Sequence, residues 1–138
     1  MSKLLVVEDD PKVRDLLAQF LKTKGHEVWE AADGQEAVAT ASLGSFDLIV
    51  MDVKMPKLDG LSALHAIRQA VSSTPVLLVT GYRMSPELEG VLKSGQVECL
   101  HKPFTFAQVV EVIHRMIPQK LAPRSRFPWL PAPRQHPA

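Results

Sequence analysis

The chain has 138 residues, 46% of them hydrophobic, and a formal net charge of +1. That is enough apolar material for one globular core and too short for two, and no apolar run approaches the length needed to span a bilayer. Cys99 is the only cysteine, which excludes an internal disulfide or a cysteine-rich metal site and suits a reducing compartment.

The charge is unevenly spread. Residues 118–138 hold Lys120, Arg124, Arg126 and Arg134 and no acid, leaving 12 basic residues against 15 acidic ones in the rest, a net of −3. By charge alone such a body does not bind nucleic acid. Met1-Ser2-Lys3 runs directly into a four-residue apolar stretch closed by acids, too short for a secretory signal, so a cytoplasmic location is expected.

Leu4 to Val7 is an aliphatic run without alternation, as in a central strand buried on both faces, and it ends at Glu8-Asp9-Asp10. Asp10-Pro11 supplies an N-cap and a first-turn proline for a helix whose apolar residues are Val13, Leu16, Leu17, Phe20 and Leu21, stopped by Gly25. Glu27 to Ala31 alternates polar with apolar, the pattern of a strand nearer the sheet edge, with Trp29 expected in the core. Asp33 with Glu36 resembles a capping box and opens a short helix through Ala37, Val38 and Ala41 that should end near Gly44.

The next strand, Leu48 to Asp52, carries four apolar residues straight into one aspartate, and Met55-Pro56 and Asp59-Gly60 then turn the chain into a helix with Leu61, Leu64, Ile67 and Val71. Thr74-Pro75 breaks that helix, and Val76 to Val79 is a further buried run ending at Thr80-Gly81. Ser85-Pro86 starts a helix with Leu88, Val91 and Leu92 inward and Gly95 as terminator. Val97 to Leu100 is a short last strand followed by Lys102-Pro103. Thr105 and Gln108 form a second capping box for a helix with Val109, Val112, Ile113 and Met116 inward, closed by Pro118. Strands alternating with helices predict a doubly wound α/β fold with helices on both faces of a five-stranded parallel sheet. The strand order does not follow from this pattern.

In an open parallel sheet, ligands bind outside the carboxyl ends of the strands. Those ends carry Glu8 and Asp9, Asp52, Thr80 and Lys102. Crowded carboxylates repel, and a raised pKa or a bound cation relieves them; hard oxygen ligands favour magnesium. Lys102 adds a positive charge and Thr80 a hydroxyl, both suited to phosphoryl oxygens. The set is built to receive a phosphoryl group, with Asp52 as the nucleophile that becomes an acyl phosphate.

Glu8-Asp9, the Asp52 strand with Met55 to Gly60, Thr80-Gly81 and Lys102-Pro103-Phe104 together resemble the receiver domain of two-component response regulators, over residues 3 to about 117. The resemblance implies a flavodoxin-like strand order 2-1-3-4-5. It also implies magnesium on Glu8, Asp9 and Asp52, and phosphate taken from a kinase phosphohistidine onto Asp52. Thr80 and Lys102 would hold the phosphoryl oxygens, and the Lys102-Pro103 bond would be cis. The domain would not be an enzyme beyond its own phosphorylation and dephosphorylation. Its partners would be a sensor histidine kinase or histidine phosphotransfer protein, and an output domain or partner protein met through the last two helices, with room for a homodimer. Three features depart from the pattern: Cys99 stands where receivers commonly have Tyr or Phe, Gly95-Gln96 followed by the acid Glu98 replaces the common Gly-Ala, and Glu8 replaces the commoner Asp.

Rival readings are weaker. A haloacid dehalogenase-type phosphatase needs a second acid two residues after its nucleophile, and that position is Lys54. A pseudo-receiver that only binds is opposed by the full set of Asp9, Asp52, Thr80 and Lys102. The five histidines show no metal spacing. Lys54 and Tyr82 are expected to flank the phosphoryl group and slow its hydrolysis. Residues 1–117 thus read as the receiver and 118–138, with six prolines and a +4 charge, as a Pro-rich basic tail or linker. Phe127, Trp129 and Leu130 are its apolar anchors, expected on the outer surface of the last two helices near Val110 and Ile117.

Overall fold

The computed structural model describes residues 2–55, 57–70, 73–81 and 84–117. Pro56, Val71, Tyr82 and the 118–138 tail, all used in the sequence reading, lie outside the described residues. The strands are β1 (Lys3–Val7), β2 (Glu27–Ala31), β3 (Leu48–Asp52), β4 (Val76–Thr80) and β5 (Val97–His101). The helices are α1 (Pro11–Thr23), α2 (Gly34–Leu43), α3 (Gly60–Ala70), α4 (Pro86–Lys93) and α5 (Phe106–Met116). All pairings are parallel and the sheet order is β2-β1-β3-β4-β5. Among the described residues no helix is long and apolar enough to cross a membrane.

The burial pattern follows the order. β3 and β4 are buried along their whole length and β1 nearly so, whereas β2 at the edge buries only Ala31 fully. Successive strand residues point to opposite faces. Leu5, Val7, Ile49, Met51 and Leu78 therefore pack under α2, α3 and α4, while Leu4, Val6, Val50, Leu77 and Val79 pack under α1 and α5. Each strand's carboxyl end is left pointing between two layers of helices, which is what places the site.

Helix starts follow the chemistry read from the residues. Asp10 accepts from the amides of Lys12 and Val13, Ser85 from Leu88, and Thr105 forms a reciprocal capping box with Gln108. At α2 the box is not reciprocal: Asp33 accepts from the Glu36 amide, but Glu36 reaches past it to the Ala32 amide at 3.1 Å. Gly95 ends α4 at φ +91°, a left-handed turn that glycine adopts without steric cost.

Three packing expectations are corrected. On α1 the buried residues are Leu17, Ala18 and Leu21, and Val13 and Leu16 are exposed at 37% and 57%. One turn before Leu17 and Ala18 the inward place belongs to Arg14, whose Nη1 donates to the Glu8 carbonyl at 2.8 Å. Trp29 is 44% exposed rather than core, because edge strand β2 has no neighbour beyond it; the indole meets Phe46 edge-on and donates to Glu27. Ile117 is buried in the α1/α5 layer, and Val110 is half-buried against it, so neither offers the open surface expected for the tail.

Candidate functional site

Asp52 is the last residue of β3 and is 5% exposed. Its Oδ2 accepts from Lys102 Nζ at 3.0 Å and its Oδ1 from the Lys54 amide at 3.1 Å. The chain beyond it is pinned, since the Val53 amide donates to the Val79 carbonyl and the Gly60 amide to the Val53 carbonyl. A Cβ on Gly60 would lie 2.4 Å from the Asp52 carbonyl oxygen, so only glycine lets α3 begin this close to the strand end. This explains the Asp59-Gly60 pair better than a turn preference does.

Glu8 follows β1 and is held by its backbone. Its amide donates to the Ala31 carbonyl, its carbonyl accepts from Arg14, and its Oε2 accepts from the Asp10 amide at 3.1 Å. Arg14 in turn pairs with Glu30 at 3.4 Å. Asp9 is exposed beside it, and one carboxylate oxygen each from Glu8, Asp9 and Asp52 lie within 4.8 Å of one another. Burial raises the Glu8 carboxyl from 4.5 to about 7; a hydrogen bond with Asp9 and the charge of Asp52 add to the rise, against the Asp10 amide and Lys102. Lys102 shows the reverse balance. Burial alone would lower its pKa, but the Asp52 hydrogen bond and the charges of Asp52, Glu8 and Asp9 raise it.

Lys102 is placed by the chain's return from β5: its amide donates to the Thr80 carbonyl at 2.7 Å and its bond to Pro103 is cis, as the resemblance implied. Thr80 is fully buried as the last residue of β4, one position beyond Val79, the register partner of Asp52. The structure thus brings Glu8, Asp9, Asp52 and Lys102 into contact range and sets Thr80 at the adjoining strand end. Three carboxylates against one lysine form a hard-oxygen donor set with an excess of negative charge, which fits a divalent cation.

Supporting residues escaped the sequence reading. Asp33, read only as a cap, also pairs with Lys57 at 3.3 Å, and a Cβ on Gly34 would strike the Leu58 carbonyl at 2.0 Å, so the start of α2 braces the β3–α3 loop. Lys57 holds φ +69° there. Arg14 is the other omission, and its only sequence signal was a polar residue inside an apolar helical stripe. Cys99 lies half-buried on β5 against the α2–α4 layer, where burial pushes its thiol up.

Known proteins are similar to this chain in sequence and in fold. The TcrA transcriptional regulatory protein of Mycobacterium tuberculosis is 37% identical over 107 residues, covering 78% of this chain and 42% of that protein. The structure of Vibrio cholerae chemotaxis protein CheY4 superposes with a TM-score of 0.76 at 35% identity, covering 85% of this chain and 99% of that one. A receiver domain of the Pseudomonas aeruginosa sensor histidine kinase PA1611, with magnesium coordinated in its active-site cleft, matches at a TM-score of 0.74 and 32% identity over 83% of this chain and 96% of its own. The chain spans only 18% to 55% of the length of the curated relatives compared. Residues 4–114 match the response regulator receiver domain model, and by that match, its fold and its strand-end acids the chain belongs to the receiver domains of two-component response regulators.

Proposed function

We propose that Asp52 accepts a phosphoryl group from a phosphohistidine of a sensor histidine kinase or histidine phosphotransfer protein. The observation that carries this reading is the Asp52 carboxylate itself, buried yet held by Lys102 at 3.0 Å beside two further acids. A carboxylate oxygen of Asp52 attacks phosphorus as the phosphorus–nitrogen bond breaks; the imidazole leaves and an acyl phosphate remains. Lys102, already on the carboxylate, turns to the phosphoryl oxygens, and Thr80 donates its hydroxyl to another. Glu8, Asp9 and Asp52 would hold magnesium, which when bound supplies positive charge against the incoming phosphoryl oxygens.

Residues 1–117 constitute the receiver on this reading and 118–138 a tail or linker. The domain is no enzyme beyond its own phosphorylation and dephosphorylation, works in the cytoplasm, and signals to an output domain or partner protein through its last two helices, α4 and α5, with a second copy of the chain as a further partner. Exposure to acetyl phosphate and magnesium followed by mass spectrometry tests the core of it. One phosphoryl group should appear on the wild-type chain and none on Asp52→Asn; labelling that persists in the variant would overturn the assignment. Turnover of small phosphate esters would point instead to a phosphatase.

A further inference from the structure

The segment from Glu30 to Gly34, where β2 passes into α2, supplies none of the site groups but meets both loops that carry them. On one side it holds Glu8. The Ala31 carbonyl accepts from the Glu8 amide at 3.1 Å, and the Glu30 carboxylate pairs at 3.4 Å with Arg14, whose Nη1 donates to the Glu8 carbonyl at 2.8 Å. Both backbone groups of Glu8 are thereby fixed to β2, one directly and one through Arg14.

On the other side the segment holds the loop between Asp52 and α3. The buried Asp33 carboxylate pairs with Lys57 at 3.3 Å, and Gly34 lies so close to Leu58 that a Cβ would stand 2.0 Å from its carbonyl oxygen. Lys57 holds φ +69°, a left-handed backbone that a residue with a Cβ keeps only where its surroundings enforce it. The same loop brings the Lys54 amide to Asp52 Oδ1 at 3.1 Å and closes at its base through the Gly60 amide on the Val53 carbonyl at 2.6 Å. Fixed at its base and at Lys57, the loop has little freedom to move the Lys54 amide.

We propose that Glu30 and Asp33 are positioning residues for the acid site, Glu30 setting Glu8 and Asp9 through Arg14, and Asp33 setting the loop that binds the Asp52 carboxylate through Lys57. Because both acids lie on one short segment, the two halves of the centre are held at one separation. A shared cation needs that, since one oxygen each from Glu8, Asp9 and Asp52 must stay within 4.8 Å of the others, and groups that orient ligands govern affinity without touching the ion. These roles rest on the magnesium and phosphoacceptor reading above and extend it to residues outside the centre.

Two mild variants of the full chain test them. Asp33→Asn keeps an oxygen for the Glu36 amide, so α2 still starts while the ion pair is lost. Glu30→Ala removes the partner of Arg14. Each should weaken magnesium binding, followed by amide NMR titration, by about tenfold, and slow labelling by acetyl phosphate at limiting magnesium. Without metal, Asp33→Asn should already shift the Lys54 amide, and Glu30→Ala the Glu8 and Asp9 amides. Glu30→Gln, which returns an acceptor to Arg14, should recover most of the affinity, and Lys57→Met added to Asp33→Asn should weaken it no further. Val28→Ala, which loosens β2 against its core without touching either pair, should bind magnesium as wild type does. Variants with wild-type affinity and unmoved amides would overturn these roles alone, as would equal weakening in Val28→Ala. A wild-type chain that takes up neither magnesium nor a phosphoryl group would overturn the reading above, and these roles with it.

Discussion

Glu8 and His26 stand at opposite edges of one sheet, the first just after β1 and the second just before β2, and burial acts on both. It pushes the Glu8 carboxyl up to about 7, and it lowers the His26 imidazole, helped by the nearby charges of His114 and the N-terminal amine and opposed by Asp47. Each is driven toward its neutral form, so an acid and a base shift in opposite directions for one reason. What differs is the company. Glu8 has one backbone donor, the Asp10 amide, with Asp9 beside it and a shared centre where a cation would restore its charge. Both ring nitrogens of His26 are buried without a hydrogen-bond partner among the described residues, with the His114 ring 5.7 Å away. A desolvated group poised for charge neutralisation belongs to a binding site; a desolvated group without partners belongs to the packing.

The sharpest way to break this comparison is pH in the absence of metal. The folded pKa of Glu8 lies above its unfolded value of 4.5, so its contribution to stability is full below pH 4.5 and is lost as pH rises through about 7. The loss is on the order of 3 kcal/mol. Urea melts in a chelator at pH 5 and pH 8 should show wild type losing more stability than Glu8→Gln over that interval. Equal losses would mean that Glu8 is not desolvated. At pH 8 millimolar magnesium should raise the melting temperature of wild type and not that of Asp9→Ala, by binding the folded state alone.

A smaller effect is expected at Lys102. Lys102→Met leaves the buried Asp52 carboxylate without its cation, and because the lysine side chain is 41% exposed the cost should be only about 1–2 kcal/mol at pH 7. Magnesium should offset part of it in denaturant melts. A variant as stable as wild type with and without the metal would show that the pair is fully solvated.

The smallest effect has the opposite sign to that of Glu8. The folded pKa of His26 lies below 6.5, so the unfolded chain binds the proton more readily and stability from this group falls as pH drops below 6.5. His26→Phe should flatten that acid-side slope without altering phosphoryl labelling of Asp52. A slope unchanged by the substitution would mean that the imidazole titrates as freely folded as unfolded.

Much of the molecule was legible beforehand. Aliphatic runs without alternation marked the inner strands, cap-plus-proline pairs marked α1 and α4, and the strand ends named Glu8, Asp9, Asp52, Thr80 and Lys102 as one chemical set. These signals are local, because strand period, helix capping and the position of a polar residue after an apolar run depend on neighbours in the chain. What tertiary structure alone decided was long-range: that Arg14 rather than Val13 faces inward, that Trp29 sits at an uncovered edge, that Ile117 is buried, and that His26 meets His114. The pKa of Glu8 belongs here as well, since desolvation comes from layers contributed by distant segments. The sequence by itself determined which groups reach the strand ends; only packing determined that Glu8, Asp52 and Thr80 are buried there while Asp9 stays exposed, because burial is set by layers that distant segments contribute.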